Sequence, residues 1–141
     1  MSKIAVVYWS GTGNTEAMAN ALAEGIREAG GEAVLQTADS VNAAELAKED
    51  IFALGCPSMG AEELEESVME PFVSELEGMV QGKKILLFGS YGWGDGEWMR
   101  NWEERMKNAG AELITGEGII ANEAPDAEAV EALKAAGRAM V

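Results

Sequence analysis

The sequence predicts an α/β fold in which helices cover both faces of a parallel sheet. Short apolar runs alternate with segments of helical periodicity five times along the 141 residues. The apolar runs are continuous, as expected of strands that are buried on both faces. The segments between them are long enough to cross the sheet and return the chain to a parallel strand. Residues 1–141 are therefore predicted to form a single domain.

The first half of the chain is predicted to contain three strands and two helices. The strands are 3–8 (KIAVVY), 32–37 (EAVLQT) and 51–55 (IFALG). A helix is predicted over 15–29, because apolar residues recur at helical spacing from Met18 to Ile26 and Gly30 follows. A shorter helix is predicted over 43–48.

The second half continues the alternation. Strands are predicted over 83–90 (KKILLFGS) and 112–122 (ELITGEGIIAN), the latter interrupted near Gly116 and Gly118. Helices are predicted over 66–80, 97–109 and from Asp126, a capping residue, to about Met140.

In a parallel sheet, ligands bind beyond the carboxyl ends of the strands. Functional residues are therefore expected in 9–15, 56–65, 91–97 and 122–125.

The composition argues against several classes of partner. Ten basic and 25 acidic residues, with no His, give a net charge of −15. Nucleic acids and anionic membrane surfaces are bound through Lys and Arg, so neither is expected as a partner. No apolar run is long enough to predict a membrane span. Cys56 is the only cysteine, which excludes an internal disulfide and favours a reducing cytoplasm.

The segment YWSGTGNT (8–15) predicts a phosphate site without a cation. It joins a strand to a helix, whose N-terminal N–H groups can bind an anion, and its small residues let that anion approach. Asn14 follows Gly13 where a Walker loop needs Lys, and Glu16 occupies the place of the third glycine of a dinucleotide loop. A monophosphate therefore fits better than a pyrophosphate. An ordinary tight turn capped by Asn14 or Thr15 explains this segment equally well.

The segment CPSMGAEELEE (56–66) predicts a turn at 59–62 in which Gly60 takes a positive φ. Met59 can adapt to an aromatic face, and Glu62 can accept a hydrogen bond from an N–H group. A plain surface turn before an acidic helix start is the alternative. Cys56 is expected to be a buried structural thiol and not a nucleophile, since the phosphatase pattern would need Arg where Glu62 stands.

The segment SYGWGDGEW (90–98) places Trp93 among three glycines, which suggests that Trp93 stacks on a planar ligand. The alternative is that Trp93 folds back into the core. Trp98 and Trp102 are separated by four residues, so both are expected to face the core from one side of a helix.

These three motifs together resemble the short-chain flavodoxins of anaerobic bacteria. The matching stretches are YWSGTGNTEAMA, LGCPSMGAEELEES with EPF, and FGSYGWGDGEWMRNWEERM, and the resemblance extends over essentially the whole chain. It implies a flavodoxin-like three-layer sandwich with a five-stranded parallel sheet in the order 2-1-3-4-5. It also implies non-covalent FMN and low-potential one-electron transfer between redox proteins. The flavin would cycle through oxidised, neutral semiquinone and anionic hydroquinone forms, with no substrate turnover by the chain itself.

The resemblance also assigns residues to the cofactor. Met59 and Trp93 would lie on opposite faces of the flavin ring, and Glu62 would accept its N3–H. The Gly60–Ala61 peptide would flip on reduction. The phosphate would be bound by Ser10, Gly11, Thr12, Gly13, Asn14 and Thr15, and the ring edge by Gly92, Trp93 and Gly94. Pro57, Ser58, Ser90 and Tyr91 complete the candidate set, which contains no catalytic residue and no metal ligand.

The implied partners are redox proteins with basic patches, of the ferredoxin- or flavodoxin-reductase, hydrogenase and pyruvate-oxidoreductase types. No Lys or Arg lies between Lys48 and Lys83, where nine residues are acidic. A docking face is therefore expected around Glu62, Glu63, Glu65 and Glu66 of a monomer. Exchanging Glu62, Glu63 or Glu65 for Gln is expected to raise the semiquinone/hydroquinone potential. An FMN-dependent enzyme such as a quinone reductase is the alternative, but 141 residues leave little chain for a substrate pocket.

Overall fold

The computed structural model describes residues 3–141, which form six strands and five α-helices. The strands are β1 Lys3–Tyr8, β2 Glu32–Thr37, β3 Ile51–Gly55, β4 Lys84–Tyr91, β5 Glu112–Leu113 and β6 Ile119–Asn122. The helices are α1 Asn14–Glu28, α2 Ala43–Leu46, α3 Met69–Leu76, α4 Glu97–Asn108 and α5 Ala127–Ala139. Short 3₁₀ turns follow β2 and α3, at Ala38–Ser40 and Glu77–Met79. None of the helices within residues 3–141 has the length and apolar character needed to cross a membrane.

The strands form one parallel sheet in the order β2-β1-β3-β4-β5, which confirms the expected topology. β6 also pairs with β4, further along that strand. The predicted fifth strand is therefore interrupted, as its glycines suggested. Thr115 and Gly116 both have positive φ, 68° and 81°, which takes the chain out of the extended conformation between β5 and β6.

Two cores lie on opposite faces of the sheet, because alternate residues of each strand point to opposite sides. On one face, Phe52, Leu54 and Leu87 pack with Met69 of α3 and Trp98 of α4. On the other face, Val6, Leu86 and Phe88 pack with side chains of α1 and α5, among them Leu22 and Leu133. The layers are therefore helix, sheet and helix, as predicted.

The helix starts follow local polar contacts. Asp126 caps α5 as predicted, and its carboxylate accepts a hydrogen bond from the Ala129 N–H at 2.9 Å. α3 begins at Met69 and not at 66, so the predicted start of that helix was wrong. The carboxylate of Glu65 binds the N–H groups of Ser67, Val68 and Met69, which holds the chain ahead of the helix in a turn.

Candidate functional site

Four segments that follow strands meet at the carboxyl edge of the sheet around a cavity of about 200 Å³. They are the segments after β1, β3, β4 and β6, and the cavity draws on all four of the regions expected from the sequence. The residues that line it are Trp9, Gly11, Thr12, Asn14, Pro57, Ser58, Met59, Ser90, Tyr91, Gly92 and Glu123. Residues from all three motifs identified in the sequence thus line one cavity.

The first loop points backbone N–H groups towards its own centre. The hydroxyl oxygen of Ser10 accepts hydrogen bonds from the N–H groups of Gly13, at 3.1 Å, and Glu16, at 3.3 Å. Gly13, with φ 95°, occupies the N-cap position of α1. Asn14 and Thr15 are the first two residues of the helix, so the alternative in which one of them caps it is wrong. The loop offers converging N–H donors at a helix N-terminus, which is a geometry suited to an anion.

Thr15 connects the first loop to the end of β4. Thr15 and Ser90 are both buried, and their hydroxyl oxygens are 3.0 Å apart. Thr15 Oγ1 also accepts the N–H of Ser90 at 3.4 Å. The two segments on either side of the cavity are thus held together by a hydrogen-bonded pair of hydroxyls below its surface.

The second loop is a tight hairpin. Met59 and Glu63 exchange both backbone hydrogen bonds, at 2.8 and 2.9 Å, and enclose a three-residue turn. Gly60 has φ 51°, as predicted for this turn, and Glu62 also has a positive φ of 56°, which was not predicted. The base of the loop is fixed from below, because the indole N–H of Trp98 donates to the carbonyl of Cys56 at 3.1 Å.

The side chain of Glu62 joins the second loop to the third. Its Oε1 atom accepts the N–H of Asp95 at 3.2 Å, and a Cβ added to Gly94 would lie only 1.4 Å from that oxygen. Gly94 has φ 85°, a conformation that favours glycine, and a side chain here would push the Glu62 carboxylate aside. The other carboxylate oxygen, Oε2, is buried and has no hydrogen-bond partner among residues 3–141. Such an oxygen is costly unless a donor reaches it.

The side chains of Met59 in the second loop and Trp93 in the third loop remain exposed. Trp93 is 63% exposed and Met59 is 37% exposed, so the alternative in which Trp93 folds into the core is wrong. Trp98 and Trp102 are buried, as predicted. Tyr91 lines the cavity, and its ring packs on Trp98 with the two centroids 5.6 Å apart.

Several of the predicted site residues do not line this cavity. They belong to the same three loops as residues that do line it. The predicted residues that do not line it are Ser10, Gly13, Thr15, Gly60, Ala61, Glu62, Trp93 and Gly94.

Two lining residues, Trp9 and Glu123, were not named from the sequence although both lie in segments expected to be functional. Trp9 directly follows β1, and a Cβ added to Gly11 would come within 3.1 Å of its indole ring. Glu123 has φ 61°, and its N–H donates to the Tyr91 carbonyl at 2.8 Å. Their position immediately after a strand was the signal that could have found them.

The structure corrects the predicted acidic face at one residue. Glu65 is only 6% exposed, and its carboxylate binds the hydroxyl and N–H of Ser67 and two further N–H groups at the start of α3. These hydrogen bonds lower the pKa of Glu65 to about 2 although its burial opposes this. Glu65 is therefore a structural carboxylate and not part of a docking face. Glu63 and Glu66 are exposed, and Glu62 is half-buried.

Cys56 is a buried thiol, as predicted. Its side chain is fully buried, and burial raises its pKa to about 12. Its Sγ atom accepts the N–H of Glu65 at 3.4 Å. A thiol held protonated in this way packs as a small apolar group and does not act as a nucleophile.

Known proteins resemble this chain over most of its length. Residues 6–137 match the family model described as Flavodoxin. The chain is 52% identical to a flavodoxin from Clostridium beijerinckii over 87% of this chain and 89% of that protein. It is 50% identical to a flavodoxin from Megasphaera elsdenii, over 87% and 88% of the two chains. The solution structure of the two-electron reduced Megasphaera elsdenii flavodoxin superposes with a TM-score of 0.85 at 45% identity, covering 96% of this chain and 98% of that one.

Proposed function

This chain belongs to the flavodoxin family, and on that basis we propose that the loops around its cavity bind FMN through the residues named from the sequence. As a flavodoxin it is an FMN-dependent electron carrier that works between redox proteins and is not an enzyme. The FMN ring, when bound, takes up and releases single electrons, and the protein supplies binding, orientation and electrostatics. Two features of the structure support this assignment, one at each end of the cofactor.

The phosphate end is assigned to residues 10–15. The N–H groups of Gly13 and Glu16 converge on the Ser10 hydroxyl at the N-terminus of α1, so their dipoles already face one point. No Lys or Arg occurs in residues 8–15, which leaves backbone and hydroxyl donors to hold the anion. A phosphate bound in this way keeps its charge of about −2 without a countercharge from the loop.

The ring end is assigned to the second and third loops. The observation that carries this assignment is the buried Oε2 atom of Glu62, which has no donor among the described residues and belongs to the loop that supplies Met59 to the cavity. A carboxylate in that state fits the role of accepting the ring N3–H. Met59, which lines the cavity, and Trp93, which follows the lining residue Gly92, both offer exposed apolar surface, and we assign them to the two faces of the ring.

Titration of the FMN-free chain with FMN and with riboflavin tests the assignment of the phosphate loop. The wild-type chain should bind FMN more tightly, because riboflavin lacks the phosphate. Ser10→Ala should weaken FMN binding about tenfold, the equivalent of one hydrogen bond to a charged group, and should leave riboflavin binding unchanged. Ser40→Ala is the control, since Ser40 is exposed and bonds only within its own turn. Equal affinities of the wild-type chain for FMN and riboflavin would contradict the assignment.

Docking is proposed at the exposed acidic residues next to the second loop, Glu63 and Glu66, together with the half-buried Glu62. Partners of the reductase, hydrogenase and pyruvate-oxidoreductase types would meet this face through basic patches. Electron transfer to a basic redox protein should slow as salt is added, and Glu63→Gln with Glu66→Gln should reduce that salt dependence. Glu49→Gln with Glu112→Gln, which removes two exposed charges elsewhere, should have less effect. An unchanged salt dependence in the variant with Glu63→Gln and Glu66→Gln would refute the docking face.

The proposal also covers the state of the chain. We assign residues 1–141 to one FMN-binding domain that works as a monomer in the cytoplasm. The net charge of −15 favours separation of copies through mutual repulsion. Sedimentation equilibrium at physiological salt should give the mass of one chain, and a stable dimer would contradict this part of the proposal.

A further inference from the structure

Arg100, in the first turn of α4, forms two hydrogen bonds with the third loop. Its Nη1 atom donates to the carbonyl of Asp95 at 2.9 Å, and its Nη2 atom donates to the carboxylate of the same residue, also at 2.9 Å. The guanidinium therefore binds one loop residue through both its backbone and its side chain. This two-point contact needs the fixed fork of an arginine, because a lysine ammonium is a single point charge.

The position of this cation has no explanation in the stability of the helix. Arg100 is the fourth residue of α4 and lies at the end of its first turn, where the helix dipole disfavours positive charge. Its guanidinium turns back over the loop that precedes the helix. That loop has glycines at 92, 94 and 96, two of which have positive φ, so it would be mobile unless its backbone were held.

The residue that Arg100 holds is also the residue that holds Glu62. The N–H of Asp95 donates to Glu62 Oε1 at 3.2 Å, and the second oxygen of that carboxylate is the buried atom without a partner. Arg100, Asp95 and Glu62 thus form a continuous series of hydrogen bonds. It runs from the start of α4 to the carboxylate assigned to the flavin N3–H.

We propose that Arg100 is a positioning residue for the flavin site, which fixes Asp95 so that Asp95 can orient the Glu62 carboxylate. This role rests on the assignment of Glu62 to FMN made above, whereas the two hydrogen bonds from Arg100 to Asp95 do not depend on any cofactor. Arg100 has a second effect through its charge. It places a cation beside Glu62 in a loop region that is otherwise acidic. That cation favours uptake of the second electron, which adds negative charge to the flavin.

Two substitutions separate the effect of the two hydrogen bonds to Asp95 from the effect of the positive charge of Arg100. Arg100→Lys keeps the charge and loses the two-point contact, whereas Arg100→Gln loses both. The matched control is Arg138→Gln, because Arg138 is also exposed and ion-paired, to Glu28 and Glu131. It lies at the C-terminal end of α5, which in this fold is the opposite edge of the sheet from the site.

Three measurements follow on the same proteins. Hydrogen exchange of the Asp95 amide in the FMN-free chain should become faster in both Arg100 variants and stay unchanged in Arg138→Gln. The Kd for FMN should rise about tenfold in both Arg100 variants, as expected when a charge-assisted hydrogen bond that orders the site is lost. The second one-electron potential of the bound flavin should fall in Arg100→Gln and stay near the wild-type value in Arg100→Lys.

The outcomes distinguish this inference from the proposed function. Unchanged amide exchange at Asp95 in Arg100→Gln would overturn the positioning role whether or not FMN binds. Faster exchange with an unchanged Kd for FMN would also overturn the positioning role, because the contact between Arg100 and Asp95 would then have no effect on flavin binding. A wild-type chain that takes up no FMN would overturn the proposed function, while the exchange data would still show whether Arg100 holds the loop.

Discussion

Glu65 is a buried carboxylate whose charge is stabilised by N–H groups at the start of α3. Its pKa is lowered from an ordinary value of 4.5 to about 2, so its charged form stabilises the folded state. This contribution is complete above about pH 4.5 and is lost as the pH falls towards 2. We expect Glu65→Gln to reduce the free energy of unfolding by about 1–3 kcal/mol at pH 7, with a smaller difference at pH 3. Urea unfolding measures both values, and Glu66→Gln, an exposed neighbour, should be nearly neutral. An equal loss at both pH values would contradict this account.

Gly94 lies directly against the carboxylate of Glu62. Its φ is 85°, and an added Cβ would lie 1.4 Å from Glu62 Oε1, so Gly94→Ala must displace the carboxylate. We expect the Kd for FMN to rise about tenfold or more, because the bond from the Asp95 N–H is lost with the correct position of Glu62. Gly30→Ala is the control for backbone strain, since Gly30 has a similar φ of 91° and nothing within 4 Å of the added Cβ. Equal FMN affinity in the two variants would show that Glu62 does not contribute to binding.

At the scale of elements, Arg105 of α4 clamps α3 to α4. It forms a two-point contact with Glu70, at 2.8 and 2.7 Å, and a further bond to Glu77 at 2.8 Å. Hydrogen bonding to Arg105 lowers the pKa of Glu70. We expect Arg105→Met to cost about 2–3 kcal/mol of unfolding free energy, since two neighbouring carboxylates lose their shared partner. Arg138→Met should cost clearly less, because exposed ion pairs contribute little to stability. Thermal and urea unfolding provide the comparison, and similar losses in both variants would refute the clamp.

The elements themselves could be predicted, because apolar periodicity and glycine stops are local signals. The bounds of α1, α4 and α5 agree with the sequence to within one or two residues. Contacts between distant segments could not be predicted. The run without bases between Lys48 and Lys83 suggested an uncompensated acidic face, but Arg105 from another helix folds onto it. The burial of Glu65 has the same cause, since only the folded turn shows which N–H groups surround its carboxylate.

For the site, the sequence predicted the loops that form it but not the contacts between them. Glycine-rich motifs after strands identified the loops, because parallel strands bring their carboxyl ends to one edge. The link from Glu62 to Asp95 was not predictable, since it depends on the positive φ of Glu62 and on the space at Gly94. The position of Trp9 and Glu123 directly after a strand pointed to the site, but the sequence alone does not show that these two side chains line the cavity.

At the scale of the whole molecule, the net charge of −15 opposes the addition of negative charge to the flavin. We expect the second one-electron potential to rise with ionic strength, because salt screens this repulsion over about 10 Å at 0.1 M. Glu63→Gln and Glu66→Gln should each raise the same potential, since both charges are exposed beside the second loop. Spectroelectrochemistry over a range of salt concentrations measures these shifts. A second potential that is independent of salt and of both substitutions would refute the electrostatic account.

We propose that the cavity at the carboxyl edge of the sheet binds FMN, with which the chain carries single electrons. The most direct test is the visible absorption spectrum of the FMN-loaded chain during stepwise reduction with dithionite. We predict bound oxidised flavin at the start, then a long-wavelength band that rises and falls as two one-electron steps follow each other. Bound flavin that passes directly to the two-electron form, or a chain that takes up no FMN, would contradict the account.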